Sequence, residues 1–480
     1  MPNKTYYRIE FELLSALSIG ATDSDVTDHD MVLDSRGLPL IPGTSLAGAY
    51  RNLFFDGEAT DEKAAERDCR RIFGDLDVGN SPLRVYDATY ESGNGTISIR
   101  DSVSLENKVA KPGLKFDRQI VERGTRFVTY LEILREAQSE HDEIGCTRQD
   151  VERIVAAMED GTITLGAKTT RGLGRVSVID CRTRSFSLPD DKDAWLHFDM
   201  FGNPDEQWHE SLAGVNTLVA TDAQSHKTSS LPSRPNDKLV ITLALTLRGG
   251  ISVREYTTEV DEADFSQLIV HTSDNVDDPT PIIPGTSWAG AIRTRYEQLA
   301  KSLQTPANIT KELFGYVGKD SENKTLTQRS RITFSESIVE GGEWISYTRN
   351  AIDRITGGTI PRALFTERSY YGGTTELVIT IDRPGELCNR LGKGIYAPLL
   401  ATLADLHNGF LAVGGLTAVG RGLFHIDGTR SSLMLPGVSN EESQALSKRF
   451  FDGLLAEETD GLVQPDLQML STIITGGEVA

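Results

Sequence analysis

Ile41-Pro-Gly-Thr-Ser-Leu-Ala-Gly-Ala-Tyr-Arg51 decides the reading of this chain, because it returns as Ile283-Pro-Gly-Thr-Ser-Trp-Ala-Gly-Ala-Ile-Arg293. The two stretches agree at nine of eleven positions and lie 242 residues apart. Other landmarks keep similar spacing. Ile72-Phe-Gly74 returns as Leu313-Phe-Gly315, Asp117-Arg118 as Asp353-Arg354, and the glycine loop Gly172–Val178 as Gly420–Ile426. A period this long excludes a solenoid and indicates two copies of one domain of roughly 190 residues.

Working outward, each copy opens with alternating apolar and polar residues, Tyr6–Leu14 and Lys238–Leu247, which predict strands. A polar, acidic loop follows, then the repeated segment. There Pro sets a turn, Gly permits close backbone approach, and Ser or Thr is expected to cap a helix. Helices are expected at about Leu46–Phe55 and Trp288–Leu303, with second helices over Thr147–Met158 and Tyr396–Leu406. Strands are expected at Leu83–Tyr90, Val128–Arg135 and Arg331–Ile338, and each copy ends in a glycine loop and a strand. The order β-α-β-β-α-β predicts an α+β protein of two tandem ferredoxin-like domains. The expected divisions are 1–190, a connector and linker over 191–237, a second domain over 238–430, and 431–480. Ser225–Asn236 reads as the linker, Ser439–Leu455 as an amphipathic helix, and the last twenty residues as a weakly ordered tail.

The chain has 480 residues and a formal charge of −21. Bulk charge opposes binding to phosphate, but it governs solubility and not local sites. The four cysteines, Cys69, Cys146, Cys181 and Cys388, are far apart, so a structural zinc site is not expected. No run of apolar residues reaches a membrane-spanning length, and no signal core opens the chain. A cytoplasmic protein without membrane contact is therefore expected. Dinucleotide, Walker, nucleophile-elbow and zinc-protease motifs are missing, so no organic cofactor is expected.

The basic residues gather in islands. Asn107–Arg126 carries Lys108, Lys111, Lys115, Arg118, Arg123 and Arg126 against two acids; Gly166–Arg175 carries Lys168, Arg171 and Arg175 against none. Arg349–Arg368 carries Arg349, Arg354, Arg362 and Arg368 against two acids, and Arg421 lies in the second glycine loop. Glycine-rich backbone beside such cations can cradle phosphates; the plainer reading is a tight turn with solvated charges. The helix starts at Ser45 and Ser287, with Arg51 and Arg293 one to two turns on, could offer N–H groups to an anion or simply be capped. The loop Thr22–Asp30 holds Asp23, Asp25, Asp28, His29 and Asp30. It could hold a divalent ion or set a carboxylate beside a phosphodiester, or it could be a solvated acidic loop. The second copy is acidic there as well, over Glu259–Asp264 and Asp274–Asp278.

Pro39-Leu-Ile-Pro-Gly-Thr-Ser-Leu-Ala-Gly-Ala-Tyr-Arg51, the following Phe-Gly, and the glycine loop that ends Gly172-Leu-Gly-Arg-Val resemble the RAMP superfamily, the RNA-binding proteins of CRISPR systems. The likeness is closest to backbone subunits of type III effector complexes. It covers about Tyr6–Ile179 and Leu239–Ile426, and the fused double layout is similar to type III-D complexes. The resemblance implies ferredoxin-like cores with an inserted "thumb" hairpin that enters the guide–target duplex at intervals of about six nucleotides. Asp101–Leu105, Lys115–Arg118 and Gly124–Phe127 match the first thumb, and Tyr347–Arg354 with Leu364–Glu367 the second. It also implies target cleavage by an aspartate upstream of the Pro-Gly segment. Asp28-His-Asp-Met-Val-Leu-Asp34 places Asp28 there, with Asp30 the second choice. In copy two Asp264 fits after a one-residue slip, with His271 standing for the second aspartate.

The implied activity is that of a metal-dependent endoribonuclease. The RNA 2′-OH attacks its own phosphate and leaves 2′,3′-cyclic phosphate ends, with Asp28 taking the proton or holding Mg²⁺ or Mn²⁺. Implied partners are guide RNA (crRNA), target RNA and further type III subunits, in antiviral defence. Two other readings stay open: a guide-RNA scaffold that does not cut, and a guide-processing endoribonuclease using His29.

Overall fold

The protein, seen as a computed structural model, is described over residues 3–20, 27–55, 62–74, 80–106, 109–137, 144–208, 210–211, 238–255, 263–272, 279–306, 308–319, 325–457 and 461–474. It divides into two compact units. One takes Met1–Thr169, Leu173–Arg234 and His271–Val276; the other takes Thr170–Gly172, Pro235–Val270 and Asp277–Ala480. The expected linker Ser225–Asn236 and the acidic stretches 22–26, 259–262 and 274–278 lie outside the described residues.

In the first unit the elements run β1 (Lys4–Leu13), α1 (Gly43–Phe55), α2 (Glu62–Phe73), β2 (Ala88–Gly93), β3 (Ile97–Glu106), β4 (Val109–Val121), β5 (Thr125–Ile133), α3 (Arg148–Glu159) and β6 (Val176–Phe186). The main sheet runs β2-β5-β1-β6, every pair antiparallel. This is the strand order of a ferredoxin-like fold. Alternation along β1 buries Tyr7, Ile9, Phe11 and Leu13. They pack on Leu46, Tyr50 and Phe54, which recur every fourth residue of α1, and on Ile154, Val155 and Met158 of α3. The expected strand Leu83–Tyr90 is two strands, Leu83–Val85 and β2, both paired with β5.

The outer face of this sheet carries Tyr6, Val128, Tyr130 and Phe186. Residues of the expected connector cover it, through α4 (Lys192–Leu196), α5 (Pro204–Gln207) and the buried Trp208. Trp195 Nε1–H donates to Tyr6 Oη at 3.0 Å. Sheets of this kind often stack RNA bases on exposed aromatics. Here those aromatics are already buried, so this face is closed to such stacking.

The second unit repeats the plan: β7 (Lys238–Arg248), α6 (Gly285–Ser302), α7 (Ile309–Phe314), β8 (Ser337–Glu340), β9 (Glu343–Ile352), β10 (Thr359–Tyr371), β11 (Thr374–Asp382), α8 (Pro384–Leu391), α9 (Ala397–Asn408) and β12 (Leu423–Met434). Its sheet runs β8-β11-β7-β12. Leu239, Ile241, Leu243, Leu245 and Leu247 of β7 face Trp288, Ile292 and Tyr296, spaced four apart on α6. Each unit inserts a long hairpin in the chain between the second and third strands of its ferredoxin-like core: β3–β4 between β2 and β5, and β9–β10 between β8 and β11.

After β12 come α10 (Asn440–Leu454), capped by Ser439, and α11 (Leu467–Ile474). The expectation of a weakly ordered tail is corrected over 461–474: Leu470, Ile473 and Ile474 are buried in the core of the second unit. At eight residues the helix is too short to announce itself by periodicity, and its apolar residues find a partner only in the folded core. No helix among the described residues is long and apolar enough to cross a membrane.

Candidate active site and nucleic-acid interface

Asp28 stands beside the β3–β4 hairpin, held by reciprocal hydrogen bonds. Its backbone N–H donates to Asp117 Oδ1 at 2.8 Å, and the Asp117 N–H donates to Asp28 Oδ2 at 3.0 Å. The Gln119 N–H donates to His29 O at 2.9 Å, and the Met31 N–H to Gln119 Oε1 at 2.9 Å, so the loop runs along β4. Asp28 and His29 are exposed. Asp30 is turned inward, where its Oδ1 accepts from the Thr27 N–H and hydroxyl at 2.8 and 2.7 Å. That geometry makes Asp30 a turn-forming residue and leaves the surface position to Asp28.

The second unit reproduces the clamp. Asp264 Oδ2 accepts from the Thr366 N–H of β10 at 2.6 Å. The surrounding bonds set the correspondence. The Ile19 N–H donates to Met31 Sδ and the Val253 N–H to Gln267 Oε1; the Val32 N–H donates to Ile19 O and the Leu268 N–H to Val253 O. Met31 therefore matches Gln267, and Asp28 matches Asp264 with no slip. The expected slip is corrected, and the residue matching Asp34 is Val270, not His271. Asp34 itself shapes a turn, accepting from the Leu38 and Arg36 N–H groups at 2.9 and 2.8 Å. The Leu38 N–H and the Arg36 side chain hold its carboxyl below the ordinary value.

The echo of Asp117-Arg118 in Asp353-Arg354 is likewise corrected. Asp117 lies within β4 beside the loop, whereas Asp353 lies in the turn of the β9–β10 hairpin, accepting from the Ile355 and Thr356 N–H groups at 2.8 Å each. The true counterpart of Phe116-Asp117 is Phe365-Thr366. The hairpins differ in length and register, which a shared offset cannot reveal.

Aromatic rings flank each clamp. In the first unit His29 meets Phe116 edge-on at 6.4 Å, and Lys168 Nζ lies 4.4 Å from the centre of the Phe116 ring. Arg118 lies 5.4 Å from the same ring, only 7% exposed, its guanidinium pKa lowered by burial. In the second unit Phe265 stacks on Phe365 at 5.9 Å, with Arg254 Cζ 4.4 Å above Phe265. Neither Phe116, Phe265, Phe365 nor Arg254 was legible as functional, because the ring contacts join segments distant in the chain.

Arg349 and Arg421 converge on the buried Glu367, each with a nitrogen 3.8 Å from its carboxylate. Arg421 also lies 4.5 Å from the Tyr371 ring, and burial pushes the Tyr371 hydroxyl up to about 12. Arg354 and Arg362 are exposed in the outer part of the second hairpin. Arg171 is half-buried, its pKa lowered by burial, and Arg175 half-buried beside Gly161. Lys108 and the side chains of Lys111 and Lys115 lie outside the described residues.

The start of α1 does not present the expected anion site. α1 begins at Gly43, whose N–H donates to Asp87 Oδ1 at 2.7 Å. α6 begins at Gly285 behind Pro284, with no side-chain cap, so neither Ser287 nor Thr286 caps it. Glu336 holds the sequence position that matches Asp87. A carboxylate beside the first helical amide meets the positive helix end and repels phosphate there. Ser45 and Ser287 are half-buried within the first turn; Arg51 is exposed, and Arg293 pairs with Glu297 at 3.0 Å.

A separate open cleft is lined by His407, His425, Asp427 and Glu457. Burial, then His425 and Arg248, push His407 down to about 4. Among the described residues no group of three or more His, Cys, Asp or Glu could hold a metal ion by itself.

Comparison with curated proteins by sequence gives no match. Among solved structures the chain is similar to one of the Type III-B Cmr-beta complex bound to cognate target RNA, at 16% identity and a TM-score of 0.29. That similarity covers 38% of this chain and spans 61% of the other. The RAMP superfamily matches residues 10–177 and 265–425, one stretch in each ferredoxin-like unit and together more than half of the chain. With the duplicated fold and the paired glycine loops, the match shows that the chain belongs to the RAMP superfamily.

Proposed function

We propose that this chain is a tandem backbone subunit of a type III CRISPR ribonucleoprotein, of type III-D-like layout, that acts in the cytoplasm. It binds guide RNA beside further subunits of the complex and cuts the paired target RNA twice. One observation carries this reading. In both units an aspartate of the same loop is clamped to a backbone N–H of the inserted hairpin, through Asp117 and Thr366. Two unrelated acidic loops would have no reason to share that bond.

Base pairing would supply sequence recognition, leaving the protein to hold backbone geometry. A hairpin entering the duplex would expose one target linkage beside each aspartate. The 2′-oxygen bonds to phosphorus, its proton passes to the aspartate, and the P–O5′ bond breaks. The leaving 5′-oxygen takes a proton from water, giving a 2′,3′-cyclic phosphate and a 5′-OH. Asp28 and Asp117 fit the way Mg²⁺ or Mn²⁺ is held, by one or two carboxylates together with phosphate oxygens. Such an ion would offset charge building on the phosphoryl oxygens. In the second unit Thr366 stands where Asp117 stands, so Asp264 would act with fewer protein ligands.

Mapping fragment ends on a target RNA, with the chain assembled in its guide complex, tests the reading. Asp28→Ala should abolish one cut and Asp264→Ala another about six nucleotides away, with target binding retained. The first cut should stop at a lower chelator concentration than is needed to release the target. If both variants cut as the unaltered chain does, the subunit is a scaffold. If His29→Ala alone blocks guide maturation, it is a processing enzyme.

A further inference from the structure

We propose that each unit supplies one cation to the scissile phosphate, and that the two cations come from different loops: Lys168 of the glycine loop in the first unit, Arg254 of the segment after β7 in the second. The inference rests on the cleavage reading above and deepens it.

The geometry is shared although the residues are not. Lys168 Nζ and Arg254 Cζ each lie 4.4 Å from the centre of an aromatic ring. In the first unit that ring is Phe116, the residue before Asp117, whose N–H holds Asp28. In the second it is Phe265, the residue after Asp264, stacked on Phe365, the residue before Thr366, whose N–H holds Asp264. Each cation is thus anchored on a ring one residue from the clamp. Such anchoring holds a flexible side chain in one place.

Matching the loops shows an exchange. Lys168 and Leu416 both adopt left-handed backbone, φ 55 and 54, each just before a short 3-10 turn. The conformation belongs to the loop, and only the first copy uses it to present a cation. The Ala167 N–H donates to Ser18 O and the Gly415 N–H to Ser252 O, so Ser18 matches Ser252 and Gly20 matches Arg254. Where the second unit has leucine in place of lysine, it has gained an arginine at a position that is glycine in the first. Leucine in one loop and arginine in the other leave a ring-anchored cation 4.4 Å from a ring at each clamp, in the first unit beside the buried Arg118.

In the transfer described above, the 2′-O–P bond forms and the P–O5′ bond breaks while negative charge grows on the non-bridging phosphoryl oxygens. Lys168 or Arg254 meets that charge without taking up a proton. Removing a fixed donor of this kind slows reactions by roughly 10²–10³-fold.

The test is single-turnover cleavage in the assembled complex at saturating target, with each cut scored separately. Lys168→Leu is the informative variant, because leucine already occupies the matching left-handed position. It should slow the first cut by about 10²-fold and leave the second cut and target affinity unchanged. Lys168→Arg should restore the first cut to within about tenfold. Arg254→Gln should slow only the second cut, and adding Leu416→Lys to it should restore that cut from the other loop. Wild-type rates in Lys168→Leu and Arg254→Gln would overturn the assignment while the aspartate reading stands, provided Asp28→Ala and Asp264→Ala still abolish their cuts. Equal loss of both cuts or of target affinity in Lys168→Leu would also overturn it, marking a general phosphate contact. Wild-type cutting by the two aspartate variants would instead remove the reading beneath it.

Discussion

Gly174 and Gly422 close the same tight approach in the two units. Each has positive φ, and a Cβ added at either would overlap a backbone carbonyl, Leu165 O or Val413 O. Two residues earlier in the second loop, Gly420 has φ 84 but open space around it. Gly422→Ala should therefore cost on the order of 4 kcal/mol, through backbone displacement. Gly420→Ala should cost only about 1 kcal/mol, through its left-handed backbone. Denaturant titration of the two variants checks the difference; equal costs would show that strain, and not the contact, restricts these sites. Residue identity was legible here because a doubled Gly-x-Gly before a strand has few other uses. Asp28 was singled out from its acidic loop only through resemblance, and its bond to Asp117 was not legible, because it spans 89 residues.

At the scale of elements, α2 and α3 are tied by a buried ion pair. Arg71 donates to both carboxylate oxygens of Asp150 at 2.8 and 2.7 Å, and to Gly145 O at 3.0 Å. Asp150 also completes the capping box with Thr147 at the start of α3. Burial alone would raise the Asp150 carboxyl, but Arg71 and Thr147 outweigh it and hold the pKa below 3.8. A depressed folded pKa contributes stability that is present above the unfolded value and lost as pH falls through the folded one. Acid should therefore weaken the first unit below about pH 4, and Asp150→Asn should flatten that limb of the profile. At neutral pH, Arg71→Met should cost roughly 3–5 kcal/mol, since it strands a buried carboxylate. Unfolding followed across pH reads both effects. The α3 helix was legible from its apolar periodicity beginning at Thr147. The strands of the hairpins were not read as elements, because their alternation serves no core: Ile352 and Leu364 are 65% and 64% exposed.

At the scale of the whole molecule, the second unit extends past β12 through α10 and α11. Leu470, Ile473 and Ile474 are each no more than 2% exposed. Burying such side chains contributes about 1.5–3 kcal/mol each. Truncation after residue 457 should speed amide exchange in α9, whereas β1 and β5 should exchange as before. Unchanged exchange in α9 would mean that α11 adds nothing to that core.

The sequence by itself determined the duplication, the ferredoxin-like order of elements and the helix and strand faces. These follow from periods of two and 3.6 residues and from glycine's conformational freedom, which act over a few neighbours. Tertiary structure alone decided which loop residues meet the hairpins, that Asp87 already occupies the start of α1, and that Lys168 and Arg254 each lie against a ring one residue from an aspartate clamp. Those outcomes depend on contacts between segments tens to hundreds of residues apart. No local pattern encodes such contacts, and two copies can satisfy the same geometry with different side chains from different loops.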